Sequence, residues 1–194
     1  MRPVTAVEVA ADHELIRRSV ADPEAFGHVF DRHAATIHRY LARRIGVTLA
    51  DDLTAETFLI AFRRRNKYDM SYIDCLPWLY GIAANLLRGH QRAEVRQYRA
   101  LARTGADPAY ADASDDRVLA RVTAADDIRA LAGVLAELPA GERDVLTLVG
   151  QAQLSYPEVA RALDIPVGTV RSRLHSARRR IRKAFPDLEG SDDE

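Results

Sequence analysis

Apolar residues recur along this chain at three- and four-residue intervals almost from end to end, and nowhere do they alternate for long with polar ones. That pattern predicts helices and no sheet. From His13 to Ile45 a stripe runs through Leu15, Ile16 and Val20, and breaks at Asp22-Pro23. It resumes through Ala25, Phe26, Val29, Phe30, His33, Ile37, Tyr40 and Leu41, with Gly46 as a helix stop. Thr48–Asp51 reads as a cap opening a helix to about Arg65, whose buried stripe is Ala55, Phe58, Leu59 and Phe62. Pro77-Trp78 begins a long helix to around Arg99, with Leu79, Ile82, Ala83 and Leu86 on its core side. After a polar stretch, helices return over Ile128–Leu138 and Glu142–Val149, separated by a turn at Pro139-Ala140-Gly141.

The most structured signal lies over Leu154–Lys183. Ser155 and Glu158 have capping-box spacing, and Leu154 with Val159 forms a hydrophobic staple over it. Asp164-Ile165-Pro166 ends that short helix, and the next starts near Pro166. Val170, Leu174, Ala177 and Ile181 form its apolar stripe. Arg171, His175, Arg178 and Arg182 repeat that spacing one residue on, with Ser172 and Arg179 alongside. A capped support helix, a tight turn and a basic amphipathic helix describe a helix-turn-helix, whose second helix suits a DNA major groove. A basic face on a packed helix is the plainer alternative, and the preceding cap and turn weigh against it.

The fold class expected is therefore all-α: two small helical domains joined by a flexible linker, the second containing the helix-turn-helix. The boundaries are 1–100 for the first domain, 101–127 for an acidic linker poor in large apolar residues, 128–186 for the second domain and 187–194 for an acidic tail.

Composition changes this picture in one respect. The 194 residues carry 28 basic and 28 acidic side chains, a formal charge of zero that conceals a segregation of basic helices from acidic linker and tail. Charge divided in this way suits a nucleic-acid surface with acidic segments elsewhere. The single cysteine, Cys75, excludes an intramolecular disulfide or a cysteine-built zinc site. The six histidines have no metal-binding spacing, and there is no Gly-rich phosphate loop or nucleophile motif. No cofactor, metal or catalytic residue is expected, and the chain is not read as an enzyme. Without a long apolar run or a signal-peptide core, it is expected in the cytoplasm, with no membrane insertion.

Two further faces carry candidate chemistry. Asp52 and Glu56 lie one turn apart near a helix N-terminus, an arrangement that fits either a docking surface or simple dipole stabilisation. Trp78, Gly81, Asn85, Arg88 and Arg92 fall along one face of the long helix. An aromatic ring, an amide and arginines together suit single-stranded nucleic acid, although spacing alone accommodates Trp78 equally well in the core.

With those segments placed, the chain resembles an extracytoplasmic-function sigma factor, a compact two-domain bacterial initiation factor. DDLTAETFLIAF (51–62), PWLYGIAANLLRGHQR (77–92), LPAGERDVLTL (138–148) and the helix-turn-helix carry the likeness. The resemblance implies that residues 1–100 bind core polymerase and melt the −10 element. It puts Asp52, Leu53, Glu56 and Phe58 on the clamp coiled coil of the β′ subunit, and Trp78, Asn85, Arg88 and Arg92 at captured −10 bases. It implies that the second domain sits by the β flap and reads the −35 duplex through Thr169, Arg171, Ser172, His175, Arg178 and Arg179. Its partners would be core RNA polymerase, promoter DNA and an anti-sigma factor.

Three departures from the family pattern stand out. Ala55 occupies a position that is commonly Gln, Ser176 one that is frequently Arg, and Gln153 one that is frequently Gly. They are expected to retune the polymerase contact, remove one DNA contact and alter the turn before the support helix. Two rival readings remain: a dimeric helix-turn-helix regulator on palindromic duplex, and a sigma mimic that titrates an anti-sigma protein without touching DNA.

Overall fold

A computed structural model describes residues 10–104 and 118–185, with side chains throughout except at 118–126. The expected tail (187–194) and residues 105–117 of the expected linker lie outside the described residues. The described residues are helical, with no strand among them. The first half comprises α1 (Asp12–Ser19), α2 (Gly27–Ile45), α3 (Val47–Arg64), α4 (Leu76–Gly89) and α5 (Gln91–Thr104). The second comprises α6 (Val118–Glu137), α7 (Ala140–Gly150), α8 (Tyr156–Leu163) and α9 (Val167–Ala184).

Several boundaries move from where the pattern put them, each for a local reason. Gly46 takes φ 88°, open to glycine, and α3 begins directly after it at Val47 with no side-chain cap. The long helix expected from Pro77 to Arg99 is two helices, interrupted at Gly89-His90, where His90 leaves helical geometry (φ −114°, ψ 21°). Pro166 sits immediately before α9 and not within it. α6 begins at Val118, so ten residues of the expected linker, 118–127, are helical.

The two helical domains pack directly against each other. One continuous hydrophobic core runs from Leu15 and Ile16 on α1, through Leu41, Leu79 and Leu87, to Val145, Val159, Val170 and Leu174. α4 packs against α8, and α5 along α6. At the α4–α8 crossing a Cβ on Gly81 would lie 2.4 Å from the Ala162 carbonyl oxygen, so only glycine admits this approach.

A buried ionic cluster crosses the same seam. Arg44 on α2 donates to Glu94 on α5 (2.6 Å) and to Asp144 on α7 (2.6 Å). Arg143 on α7 donates to the other Glu94 oxygen (2.7 Å) and to the Leu138 carbonyl (2.7 Å). All four side chains are almost wholly buried, between 1% and 3% exposed. Two cations and two anions neutralise one another, and each guanidinium is held by several acceptors, as charges removed from water require.

Candidate nucleic-acid and polymerase interfaces

The helix-turn-helix forms as its spacing predicts. Glu158 Oε2 accepts from the Ser155 amide (2.7 Å) and hydroxyl (2.6 Å), completing the capping box. Those bonds hold the Glu158 carboxyl below its ordinary pKa, the Ser155 side chain contributing most. Leu154 and Val159 are buried beneath the cap. Asp164 closes α8 in the left-handed region (φ 53°), which aspartate tolerates. Val170, Leu174 and Ala177 then seat α9 in the core.

What remains outward on α9 is Arg171, Ser172, His175, Arg178 and Arg179, all exposed, with Thr169 half-buried at the first turn. The Ser172 hydroxyl donates to the Thr169 carbonyl (3.1 Å). Arg171, His175, Arg178 and Arg179 have no hydrogen-bond or ion-pair partner among the described residues. Ser176 faces elsewhere: its hydroxyl donates to Glu142 on α7 (3.0 Å), so this position braces α9 and does not subtract from the outward stripe.

The second candidate face is built differently. The loop ahead of α4 is shaped by Asp69, which accepts from the Ser71 amide (3.0 Å), and by Asp74, which accepts from the Leu76 amide (2.7 Å). The Tyr68 hydroxyl lies 2.8 Å from the Tyr72 carbonyl and 3.1 Å from that of Asp74, and burial pushes its pKa up, so it stays a donor. Trp78 is half-buried and lies against Tyr68, ring centroids 5.0 Å apart. Asn85 and Arg88 are exposed on α4, and the Arg88 guanidinium leans to 3.9 Å from Asp144. Arg92 is exposed but lies on α5 beyond the break, so the single five-residue face expected from spacing does not exist. Tyr72 and Ile73 cap the loop, with Ile73 68% exposed. Arg161, from α8 of the helix-turn-helix, lies 3.6 Å from the centroid of the Tyr72 ring.

On α3, Asp52 and Glu56 are exposed, whereas Leu53 and Phe58 are 3% and 4% exposed. Leu53 and Phe58 are therefore core residues that hold the helix, and Asp52 and Glu56 are its outward positions; the motif interleaves the two at helical spacing. The exposed apolar residues here are Leu59 and Phe30, the latter edge-to-face with Phe58 at 4.9 Å between ring centroids. Sequence pattern placed both in the core, because a residue at the margin of an apolar stripe carries the same signature as one at its centre. Of the basic run after α3, Arg65 is committed to structure, donating to Ser19 and Phe62 carbonyls at 3.1 and 2.6 Å.

Cys75, fully buried, belongs to a group with Asp12 and His33 that has metal-ligating chemistry. The Asp12 carboxylate is already taken: it accepts from Arg32 (2.6 Å), His33 (2.7 Å) and the Cys75 amide (3.2 Å). Burial opposes its charge, but the bonds from His33 and Cys75 outweigh it and hold the carboxyl well below its ordinary pKa. Burial likewise pushes the Cys75 thiol far up, so the geometry is that of a hydrogen-bonded hub tying α1 to the loop ahead of α4.

Comparison with known proteins bears on both halves. Residues 29–97 match the family model described as Sigma-70 region 2, and residues 128–181 match Sigma-70, region 4. The ECF RNA polymerase sigma factor BldN of Streptomyces coelicolor is 31% identical over 191 residues, covering 96% of this chain and 70% of BldN. Among solved structures, CnrH, determined in complex with the cytosolic domain of CnrY, aligns with a TM-score of 0.63 at 24% identity, covering 92% of this chain and 98% of CnrH. RpoE of Bartonella quintana, determined with the anti-sigma factor NepR, aligns with a TM-score of 0.59 at 19% identity, covering 84% and 98% of the two chains, and supports the fold alone. The surfaces on α3, α4 and α9 are thus arrayed on a frame shared across both matched regions, and this chain belongs to the extracytoplasmic-function RNA polymerase sigma factors of the sigma-70 family.

Proposed function

We propose that this sigma factor divides promoter reading between its halves: α9 positions the chain on −35 duplex, and α4 with its preceding loop captures unpaired −10 bases. The observation that carries this is the outward stripe of α9, where Arg171, His175, Arg178 and Arg179 stand exposed and unpartnered among the described residues. Arg171, near the helix start, is the base-reading candidate, with Thr169, Ser172 and His175 beside it; Arg178 and Arg179 serve phosphate. Trp78 and Asn85 supply stacking and edge contacts at −10, with Arg88 and Arg92 at the backbone. Asp52 and Glu56, joined by the exposed Leu59 and Phe30, form the surface for the β′ clamp coiled coil, and the second half sits by the β flap.

The protein acts in the cytoplasm without catalytic chemistry of its own; no helix among the described residues is long and apolar enough to cross a membrane. An anti-sigma protein is the expected antagonist. A plain dimeric regulator leaves the region 2 half without a purpose, and a mimic leaves the unpartnered arginines without one.

Run-off transcription with purified core polymerase on a genomic library tests this reading. Discrete new starts preceded by a shared pair of elements are expected, with Arg171→Ala abolishing dependence on the upstream element. Absence of new starts despite core binding would move the reading to the mimic. Absence of core binding would remove it altogether.

A further inference from the structure

The cleft where α8 meets α4 has a composition that promoter capture alone does not account for. It is a cavity of about 400 Å³, within the range of small-ligand sites. One wall, from the first half, holds Arg64, Lys67, Tyr72, Trp78 and Asn85; the other, from the helix-turn-helix, holds Arg161. Among the described residues, the Arg64 and Lys67 cations, the Asn85 amide and the Trp78 indole N–H make no hydrogen bond or ion pair. Asp69 and Asp74 also line the cleft; each accepts one backbone amide, from Ser71 and Leu76, and keeps its negative charge, so the three cations exceed the two acids by one. The cleft is therefore net cationic, with unpaired donors beside aromatic faces.

We propose that the closed cleft between α4 and α8 binds a free nucleoside phosphate, its base against Trp78 and Asn85 and its phosphate among Arg64, Lys67 and Arg161. This rests on the reading of α4 as a base-capturing surface and adds a wall that base capture does not need. With α9 engaged on duplex at a distance from α4, Arg161 leaves the cleft; only the closed chain offers all three cations. A ligand that requires Arg161 binds the closed arrangement preferentially and so stabilises it against opening. Nucleoside phosphates would thus lower the fraction of chain ready for promoter.

Trp78 is the only tryptophan, so its fluorescence reports on the site directly. The full-length chain is titrated separately with the four nucleoside 5′-monophosphates and with inorganic phosphate. Saturable quenching by at least one monophosphate, absent with phosphate alone, is expected. Arg161→Ala should weaken that binding about fivefold or more. The same variant, assembled with core polymerase, should bind a single-stranded oligonucleotide from the non-template strand of a mapped promoter within about twofold of wild type, since α8 is then remote from the bases. Equal response to phosphate alone overturns the nucleoside claim, and monophosphate binding indifferent to Arg161→Ala overturns the closed-cleft claim. An oligonucleotide that wild-type holoenzyme fails to bind removes the base-capture reading of α4, while an Arg161-dependent monophosphate site would survive it.

Discussion

The two recognition surfaces of this sigma factor are prepared to different degrees. The α9 stripe faces outward with its arginines exposed, whereas the α4 surface is partly covered by α8, which meets it at Gly81 and lays Arg161 on Tyr72. The proposed duplex reader is thus presented, and the proposed single-strand reader is partly covered. The difference fits what each is proposed to bind. Duplex DNA is always available, so its reader needs only a rigid helix aimed outward. Unpaired bases exist only after polymerase has engaged, and an exposed aromatic, basic surface would meanwhile collect any single strand.

The seam that maintains this difference is polar as well as apolar, which is what a separable contact calls for. Arg44, Glu94, Arg143 and Asp144 neutralise one another when closed and can be hydrated when apart. Removing one member in the closed state leaves a cation without compensation. Glu94→Gln, which strips a carboxylate from both arginines at once, should destabilise the chain by about 3–5 kcal/mol, read by urea unfolding. A loss below about 1 kcal/mol would mean that the cluster is already hydrated, and the two surfaces equally accessible, in solution.

Arg171→Ala probes the presented surface by itself. Losing one bidentate base contact should lower −35-dependent transcription about 10- to 100-fold, with urea stability unchanged because the side chain is exposed and makes no hydrogen bond or ion pair among the described residues. An accompanying fall in stability would show that the stripe is part of the packing after all.

How much of this contrast was legible in the sequence depended on whether inward and outward positions differ in polarity. The helix-turn-helix was fully legible: Ser155, Glu158 and the alternation of Val170, Leu174 and Ala177 with arginines each state one preference. The break at Gly89-His90 was hidden because apolar spacing runs on across it through Ala93. The seam was invisible for a different reason. Arg44, Glu94, Arg143 and Asp144 read as solvated surface, and only three-dimensional pairing converts them into core. Leu53 and Phe58 show the converse, since a family motif passes on a stretch of chain without saying which of its residues the partner touches.

Gly81→Ala separates the two surfaces most directly. The added methyl cannot coexist with the Ala162 carbonyl 2.4 Å away, and backbone on both sides offers little give. Although alanine favours the helix itself, overpacking should destabilise the closed form by about 1–3 kcal/mol. Small-angle scattering should show a larger radius of gyration, and single-stranded oligonucleotide should bind the free chain more tightly. An unchanged radius with unchanged binding would show that α8 does not limit access to α4.

The smallest effect expected lies in the turn ahead of the support helix, and it has the opposite sign. Gln153 stands where the family frequently has glycine, yet the turn forms, with Gln153 held at φ 55° in the left-handed region. Its side chain is exposed and carries no hydrogen bond among the described residues, so nothing there offsets the strain of a Cβ in that conformation. Gln153→Gly gives up some unfolded-chain restriction but relieves that strain, for a net gain of up to about 1 kcal/mol. Because the turn fixes α8, and α8 is what covers α4, the gain should appear as a higher unfolding midpoint together with slightly weaker binding of single-stranded oligonucleotide by the free chain. A lower midpoint would mean that the glutamine makes a contact in solution that outweighs its backbone strain, and that the turn braces the covered surface through its side chain and not through its shape.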